Sequence, residues 1–249
     1  MLAKTLTATA VTALLWSPAA SADMTALIGD ATARAFFAPE DRGPRRLEVI
    51  ATGGIALRQA PEETAPELTI LGEGDVLSNL GCEIGRDTES DTESDTESDT
   101  ESDTGGNTVW CQVKPLGSRT RGYLPATALQ PARGPDRTVP LGIDDSPERA
   151  REGAFDLEGR IACAQNPGQP LTTCRFGVAR GTGGDATVVV TFPNSFRRTL
   201  SFAHGRFIRA DTTMSGTGFD TDWERQGDLH LVRVEDQRYE LPHTDIFGR

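Results

Sequence analysis

The sequence predicts a mainly β fold, a small β-barrel followed by an antiparallel β-sheet or sandwich domain. Three observations carry that prediction. Short apolar runs recur along the chain with Gly, Pro, Asn and Asp punctuating them. The stretch Thr108 to Leu129 reads as a strand, a tight hairpin, a second strand and a short closing turn. No apolar stretch with helical period is long enough to pack against a sheet in the α/β manner.

Taken in order, residues 1–22 read as a secretory signal. Lys4 supplies a weak basic start, Leu6 to Trp16 an apolar run, and Ala20-Ser21-Ala22 a cleavage site before Asp23. That run is too short for a bilayer core of roughly 30 Å, so the expected mature chain is exported with no membrane span. Residues 23–46 are predicted as a short helix over Asp23 to Ala38, with Met24, Leu27, Ile28, Ala31 and Ala35 on one face, and a charged connector.

Residues 47–131 form the predicted barrel. Its strands read as Leu47 to Ile50, Ile55 to Arg58, Leu68 to Leu71, Asp75 to Ile84, Thr108 to Lys114 and Arg121 to Leu124. A fourfold Asp-Thr-Glu-Ser repeat from Asp87 to Ser102 interrupts them, within an insert over residues 87–104. It has no apolar residue, so it cannot offset its own ordering entropy, and the expectation is a disordered loop between paired strands. It lacks the Asp-x-Asp-x-Asp-Gly spacing of a calcium loop. The repeat also dominates the charge. The chain carries −12, or −13 without Lys4, and the five Asp and four Glu of residues 87–103 supply −9, leaving an ordinary −4 elsewhere. No basic run with interleaved aromatics occurs, which argues against nucleic acid as a partner.

Residues 132–153 read as a linker, rich in Pro, Gly, Asp and Arg, with a short helix over Ser146 to Glu152 in which Ser146 caps and Pro147 opens the first turn. Residues 154–249 form the predicted antiparallel domain. Its strands read as Arg160 to Ala164, Arg175 to Ala179, Ala186 to Phe192, Arg198 to Phe202, Arg206 to Ala210, Asp228 to Val234 and Arg238 to Leu241. Gly181-Thr182-Gly183-Gly184 reads as a β-turn, since no Lys-Ser/Thr follows to make it a phosphate loop.

Four cysteines in an exported chain read as two disulfides, and three pairings are open. Their grouping along the chain favours Cys82 with Cys111 and Cys163 with Cys174. The residues call for no metal and no cofactor. His204, His230 and His243 show no zinc spacing, no Gly-x-Ser-x-Gly elbow is present, and oxidised cysteines leave no thiol nucleophile. Asp220, Asp222 and Glu224 cluster, as a glycosidase would require, but read more simply as a solvated loop anchored by Phe219 and Trp223. The expectation is a protein that is not an enzyme.

Leu57-Arg58-Gln59-Ala60-Pro61, Leu71-Gly72-Glu73-Gly74, Trp110-Cys111-Gln112-Val113, Gly122-Tyr123-Leu124 and Leu129 follow one another in a recognisable order. Together they resemble the bacterial SH3-like domain, over about residues 47–131. Tyr123-Leu124 stands where that family usually has Trp-Val, and the acidic repeat is foreign to it. The resemblance implies a small barrel in an exported protein that binds peptidoglycan or its peptides. Trp110 and Tyr123 read first as core and rim packing of that barrel, with ligand stacking as the alternative role. The C-terminal region, from Cys163 through Phe176-Gly177-Val178-Ala179-Arg180-Gly181, is similar to an envelope domain of alphaproteobacteria of unknown role and implies no activity. The expected protein is a non-catalytic periplasmic or secreted binding module of the cell envelope. The competing expectation is a protein-interaction or inhibitor protein that uses the C-terminal sheet edges.

Overall fold

A computed structural model describes residues 37–84, 108–212 and 220–248. The signal segment, nearly all of the helix expected over Asp23 to Ala38, the acidic repeat and Phe219 lie outside the described residues. The fold is mainly β, built as two antiparallel sheets within one compact unit.

The first sheet has seven strands: β1 (Arg46–Val49), β2 (Ile55–Arg58), β3 (Glu67–Leu71), β4 (Val76–Ile84), β5 (Val109–Pro115), β6 (Gly122–Pro125) and β7 (Leu129–Pro131). They lie in the order β3-β2-β6-β5-β4-β1-β7. Alternation decides which side faces inward. Leu47 and Val49 of β1, Leu57, Leu77, Val113 and Leu124 are buried, while Arg46, Ser78 and Lys114 between them point the other way. The strand β7 follows a 3₁₀ turn over Ala126–Ala128 and pairs back onto β1, where the sequence suggested only a closing turn.

A bulge in β4 between Asn79 and Cys82 restores the register so that Cys82 sits directly opposite Cys111. Gly81 absorbs the bulge at φ 106°, a conformation that few other residues tolerate. The result is the Cys82–Cys111 disulfide, and Cys163–Cys174 links β8 to β9 of the second sheet. These are the two pairs that the sequence favoured. Closed disulfides belong to an oxidising compartment outside the cytosol. Among the described residues, no helix is long and apolar enough to cross a membrane.

The second sheet has eight strands: β8 (Leu157–Ala164), β9 (Thr172–Arg180), β10 (Ala186–Thr191), β11 (Arg197–Ala203), β12 (Arg206–Ala210), β13 (Thr221–Gln226), β14 (Leu229–Val234) and β15 (Gln237–Pro242). Their order is β12-β11-β10-β9-β8-β15-β14-β13. Instead of two packed sheets, one meander curls until its end strands β12 and β13 approach each other. The Arg206 guanidinium lies 5.4 Å from the centre of the Trp223 ring across that seam. Val188, Val190, Leu200, Phe202, Tyr239 and Leu241 fill the interior. Val189 points outward and is still buried, because Ala150, Ala179 and Phe155 cover it. That cover explains the unbroken Val188-Val189-Val190 run.

Asp220, Asp222 and Glu224 do not lie in a single loop. Thr221–Gln226 is strand β13, paired along its length with β14 through a tight turn in which Gly227 has φ 61°. Pairing with an apolar neighbour overrides the polar composition of the segment.

Two short helices complete the molecule, α1 (Ser146–Glu152) and α2 (His243–Phe247). Helix α1 has the predicted bounds, but Asp145 rather than Ser146 is its N-cap. The Ser146 hydroxyl is fully buried and bonds Asp144 and Thr187, each at 3.0 Å, so it is not free to cap. Helix α2 closes one end of the second sheet, with Ile246 fully buried. Arg180 holds it by donating to the carbonyls of Ile246 at 3.0 Å and Asp245 at 2.8 Å.

Candidate functional site

The residues between the sheets are tightly packed. Arg45 donates its backbone N–H to Pro140 at 2.8 Å, and Gly142 donates to Gly43 at 2.9 Å, so the segment after β7 runs beside the approach to β1. The Gly183-Gly184 turn meets that segment. A Cβ on Gly184 would lie 2.7 Å from the Gly205 nitrogen and 2.8 Å from Pro135, and Gly184 has φ 79°. Only glycine fits there.

Under this contact lies an ionic clamp. Asp185 on the second sheet is 1% exposed and accepts ion pairs from Arg45 at 3.4 Å and Arg46 at 3.3 Å on the first. The backbone N–H of His204 donates to the same carboxylate at 3.2 Å. Arg45 also reaches Asp144 at 3.3 Å and the Thr182 hydroxyl. Burial pushes the Asp185 carboxyl above its ordinary pKa, with Arg46 and then Arg45 pulling the other way.

Beside the clamp opens a groove of about 1140 Å³ shared by both sheets. Its first wall carries Arg46, Lys114, Arg119 and Arg121, and its second wall carries Arg151, Arg197 and Arg209. Asp144 and Asp211 are its only acidic lining residues among the described residues. Both are engaged: Asp144 with Arg45 and Ser146, and Asp211 with Arg198 at 3.7 Å and the Thr199 N–H at 2.9 Å. Among the described residues, Lys114, Arg121, Arg151, Arg197 and Arg209 form no ion pair. In a chain of formal charge −12, the groove gathers seven cationic side chains against two spoken-for carboxylates.

Strand register shapes the walls. Arg46, Ser78 and Lys114 stand side by side across β1, β4 and β5. Opposite them, Thr187, Ser201 and Arg209 stand side by side across β10, β11 and β12. The first row thus sets one hydroxyl between two cations, and the second sets two hydroxyls beside one cation. Burial lowers the Lys114 pKa, and the nearby charges of Arg209, Arg121 and Arg46 lower it further. Arg209 comes from the opposite wall, so the two rows feel each other's charge.

Trp110 and Tyr123 lie outside this groove. Trp110 is 3% exposed and offers no open ring face for stacking. Tyr123 is half-buried on β6, and its hydroxyl accepts a hydrogen bond from Gln112 at 3.1 Å. The groove cations escaped sequence reading because they are scattered from Arg46 to Arg209 and cluster only through folding.

The histidines form a second polar centre. The Trp223 indole N–H donates to Nδ1 of His230 at 3.0 Å, and Nε2 of His230 lies 2.9 Å from Nδ1 of His243. With its Nδ1 accepting, His230 carries its proton on Nε2 and donates to His243. Burial, then His243 and Arg225, push the fully buried His230 down to about 4, while burial and Arg225 also lower His243. His204 stands apart in a turn at φ 53°, and burial followed by the charge of Arg46 lowers its pKa. Asp220 is bound by Arg233 at 2.9 and 3.0 Å, Asp222 accepts the Trp223 N–H at 2.9 Å, and Glu224 is exposed. Asp220, Asp222 and Glu224 make no hydrogen bond to His204, His230 or His243 among the described residues. Comparison with protein-family models, curated proteins and solved structures returns no match to this chain.

Proposed function

We propose that this chain is a non-catalytic binding protein of the periplasm whose ligand is an anionic polymer of the cell envelope. The observation that carries this reading is the groove between the sheets, cationic in an acidic protein. Clustered like charges raise the local potential and draw in a ligand of opposite sign. Peptidoglycan is the first candidate polymer, because its stem peptides carry carboxylates and because residues 47–131 resemble the SH3-like wall-binding domain. The groove extends that reading, since its second wall comes from the C-terminal sheet.

The test is sedimentation of the oxidised chain with purified peptidoglycan sacculi at low and moderate salt. Binding is expected, weakening as salt screens the groove, and falling at least about tenfold in an Arg121→Gln/Arg209→Gln variant, roughly one lost charged contact or more. A double variant that binds like the parent would remove the groove from this reading.

A protein partner is the second reading, and a specific surface favours it. Edge strand β3 exposes Leu68 at 42% and Ile70 at 62%, and an apolar edge strand is a pairing surface. The C-terminal sheet suits this role less, because its end strands turn toward each other.

A further inference from the structure

We propose that the inner part of the groove is a seat for a phosphoryl group, formed by Arg46, Ser78 and Lys114 on one wall and Ser201 and Arg209 on the other. The proposal rests on the anionic-ligand reading above and narrows it to a phosphoryl group, away from the stem-peptide carboxylates of its first candidate polymer.

The strand register argues for a built site. Arg46 and Lys114 flank Ser78 on neighbouring strands, so one hydroxyl sits between two cations at sheet spacing. Ser201 and Arg209 are direct cross-strand neighbours on the facing wall. All five line the same groove. Arg46 is anchored by Asp185 and by its own bond to the Arg45 carbonyl at 3.0 Å, which presets its position. Lys114 and Arg209 lack any carboxylate among the described residues. Each cation there raises the cost of charging the next, and an anion between the walls would relieve that repulsion.

The geometry separates phosphoryl from carboxylate. A carboxylate is planar and carries one charge, so one guanidinium satisfies it side-on. Cations and hydroxyls on two opposed walls call for acceptor oxygens that leave one plane, and for more than a single charge. A phosphoryl group supplies three acceptor oxygens and up to two charges. The hydroxyls of Ser78 and Ser201 can donate to oxygens that the cations leave open.

Composition makes the test direct. The chain holds only two lysines, Lys4 and Lys114, so a lysine-labelled sample reports the seat with almost no assignment. The full oxidised chain, labelled at lysine, is titrated with inorganic pyrophosphate and, separately, with citrate as a polycarboxylate of comparable charge. Pyrophosphate is expected to shift the Lys114 side-chain signal and to raise its pKa toward the ordinary lysine value. Lys114→Met and Arg209→Met should each weaken pyrophosphate binding at least about tenfold, and Ser78→Ala and Ser201→Ala about threefold, in line with charged and neutral hydrogen bonds. Arg209 is exposed and Lys114 half-buried, so both variants should keep the parent melting temperature. A Lys114 signal unmoved by pyrophosphate, binding indifferent to Arg209→Met, or citrate binding as tightly as pyrophosphate would each overturn the seat.

Phosphatidylcholine vesicles with and without phosphatidic acid distinguish a lipid headgroup from a free or polymer-borne phosphate. Vesicle binding that pyrophosphate displaces assigns the seat to the lipid, and pyrophosphate binding without vesicle binding assigns it to the other sources. The sacculus assay separates this proposal from the wall reading. Pyrophosphate binding without sacculus binding retains the seat and removes peptidoglycan. Sacculus binding that pyrophosphate neither matches nor displaces retains the wall reading and removes the seat.

Discussion

Asp185 shows how much can rest on one side chain. Among the described residues it is the sole carboxylate that both Arg45 and Arg46 reach, and all three are largely withdrawn from water. Removing one member of a buried ionic cluster strands the others' charge, at a cost of about 3–5 kcal/mol. Asp185→Asn should therefore lower the urea-unfolding free energy by that order, while a loss under about 1 kcal/mol would show that the clamp is dispensable. His230 makes a prediction about pH. Its folded pKa of about 4 lies below the unfolded value near 6.5, so the folded state refuses a proton that the unfolded chain accepts. Above pH 6.5 both states are neutral, and the stability is intact. As pH falls from about 6.5 to about 4 the unfolded state gains, up to about 3 kcal/mol in all. Melting curves across that window should show the decline, and His230→Phe, which cannot titrate, should flatten it. Arg225 and Asp228 bear on the same pair with opposite signs, so the slope belongs to the cluster.

At the scale of the element, the second sheet depends on how β8 and β9 are joined. Cys163 and Cys174 lie on these neighbouring strands with a separation of 11 residues. Closing so short a loop contributes about 2–3 kcal/mol in the chain-entropy model, so Cys163→Ser/Cys174→Ser should lower stability by that amount in thermal unfolding. The turn between β9 and β10 makes a separate prediction. Gly184→Ala would place a methyl group against the Gly205 nitrogen and the Pro135 ring at a positive φ, costing roughly 1–3 kcal/mol. Its effect should be read as a lowered melting temperature with both disulfides intact. Most elements were legible beforehand. Alternation in β1 and β6 and the triple valine of β10 carry the strand period or a buried centre. Strand β13 was not, because Asp222, Trp223 and Glu224 have loop composition and become a strand only beside β14.

For the whole molecule, charge is distributed against its own average. The formal charge is −12, and residues 87–102 hold eight of the acidic groups. A polyanionic ligand approaching the groove meets that repulsion at low salt. Deleting residues 87–102 should strengthen sacculus binding at low salt, and the gain should vanish at moderate salt as the Debye length falls to about 8–10 Å. The same deletion should leave the melting temperature near that of the parent, because Cys82–Cys111 holds the flanking strands together. A collapse of the melting transition would refute the reading of the repeat as an insert.

The sequence by itself determined the β class, the helix over 146–152 and the favoured cysteine pairs. Each of these depends on local period, turn residues or spacing along the chain, and such signals survive without tertiary contacts. Only the tertiary structure decided that the C-terminal strands form one curled sheet and that Arg46, Lys114 and Arg209 share a groove. Those outcomes depend on which distant strands pair and in which register. A single residue's shift in register would turn Arg46, Ser78 and Lys114 to the other face of their sheet.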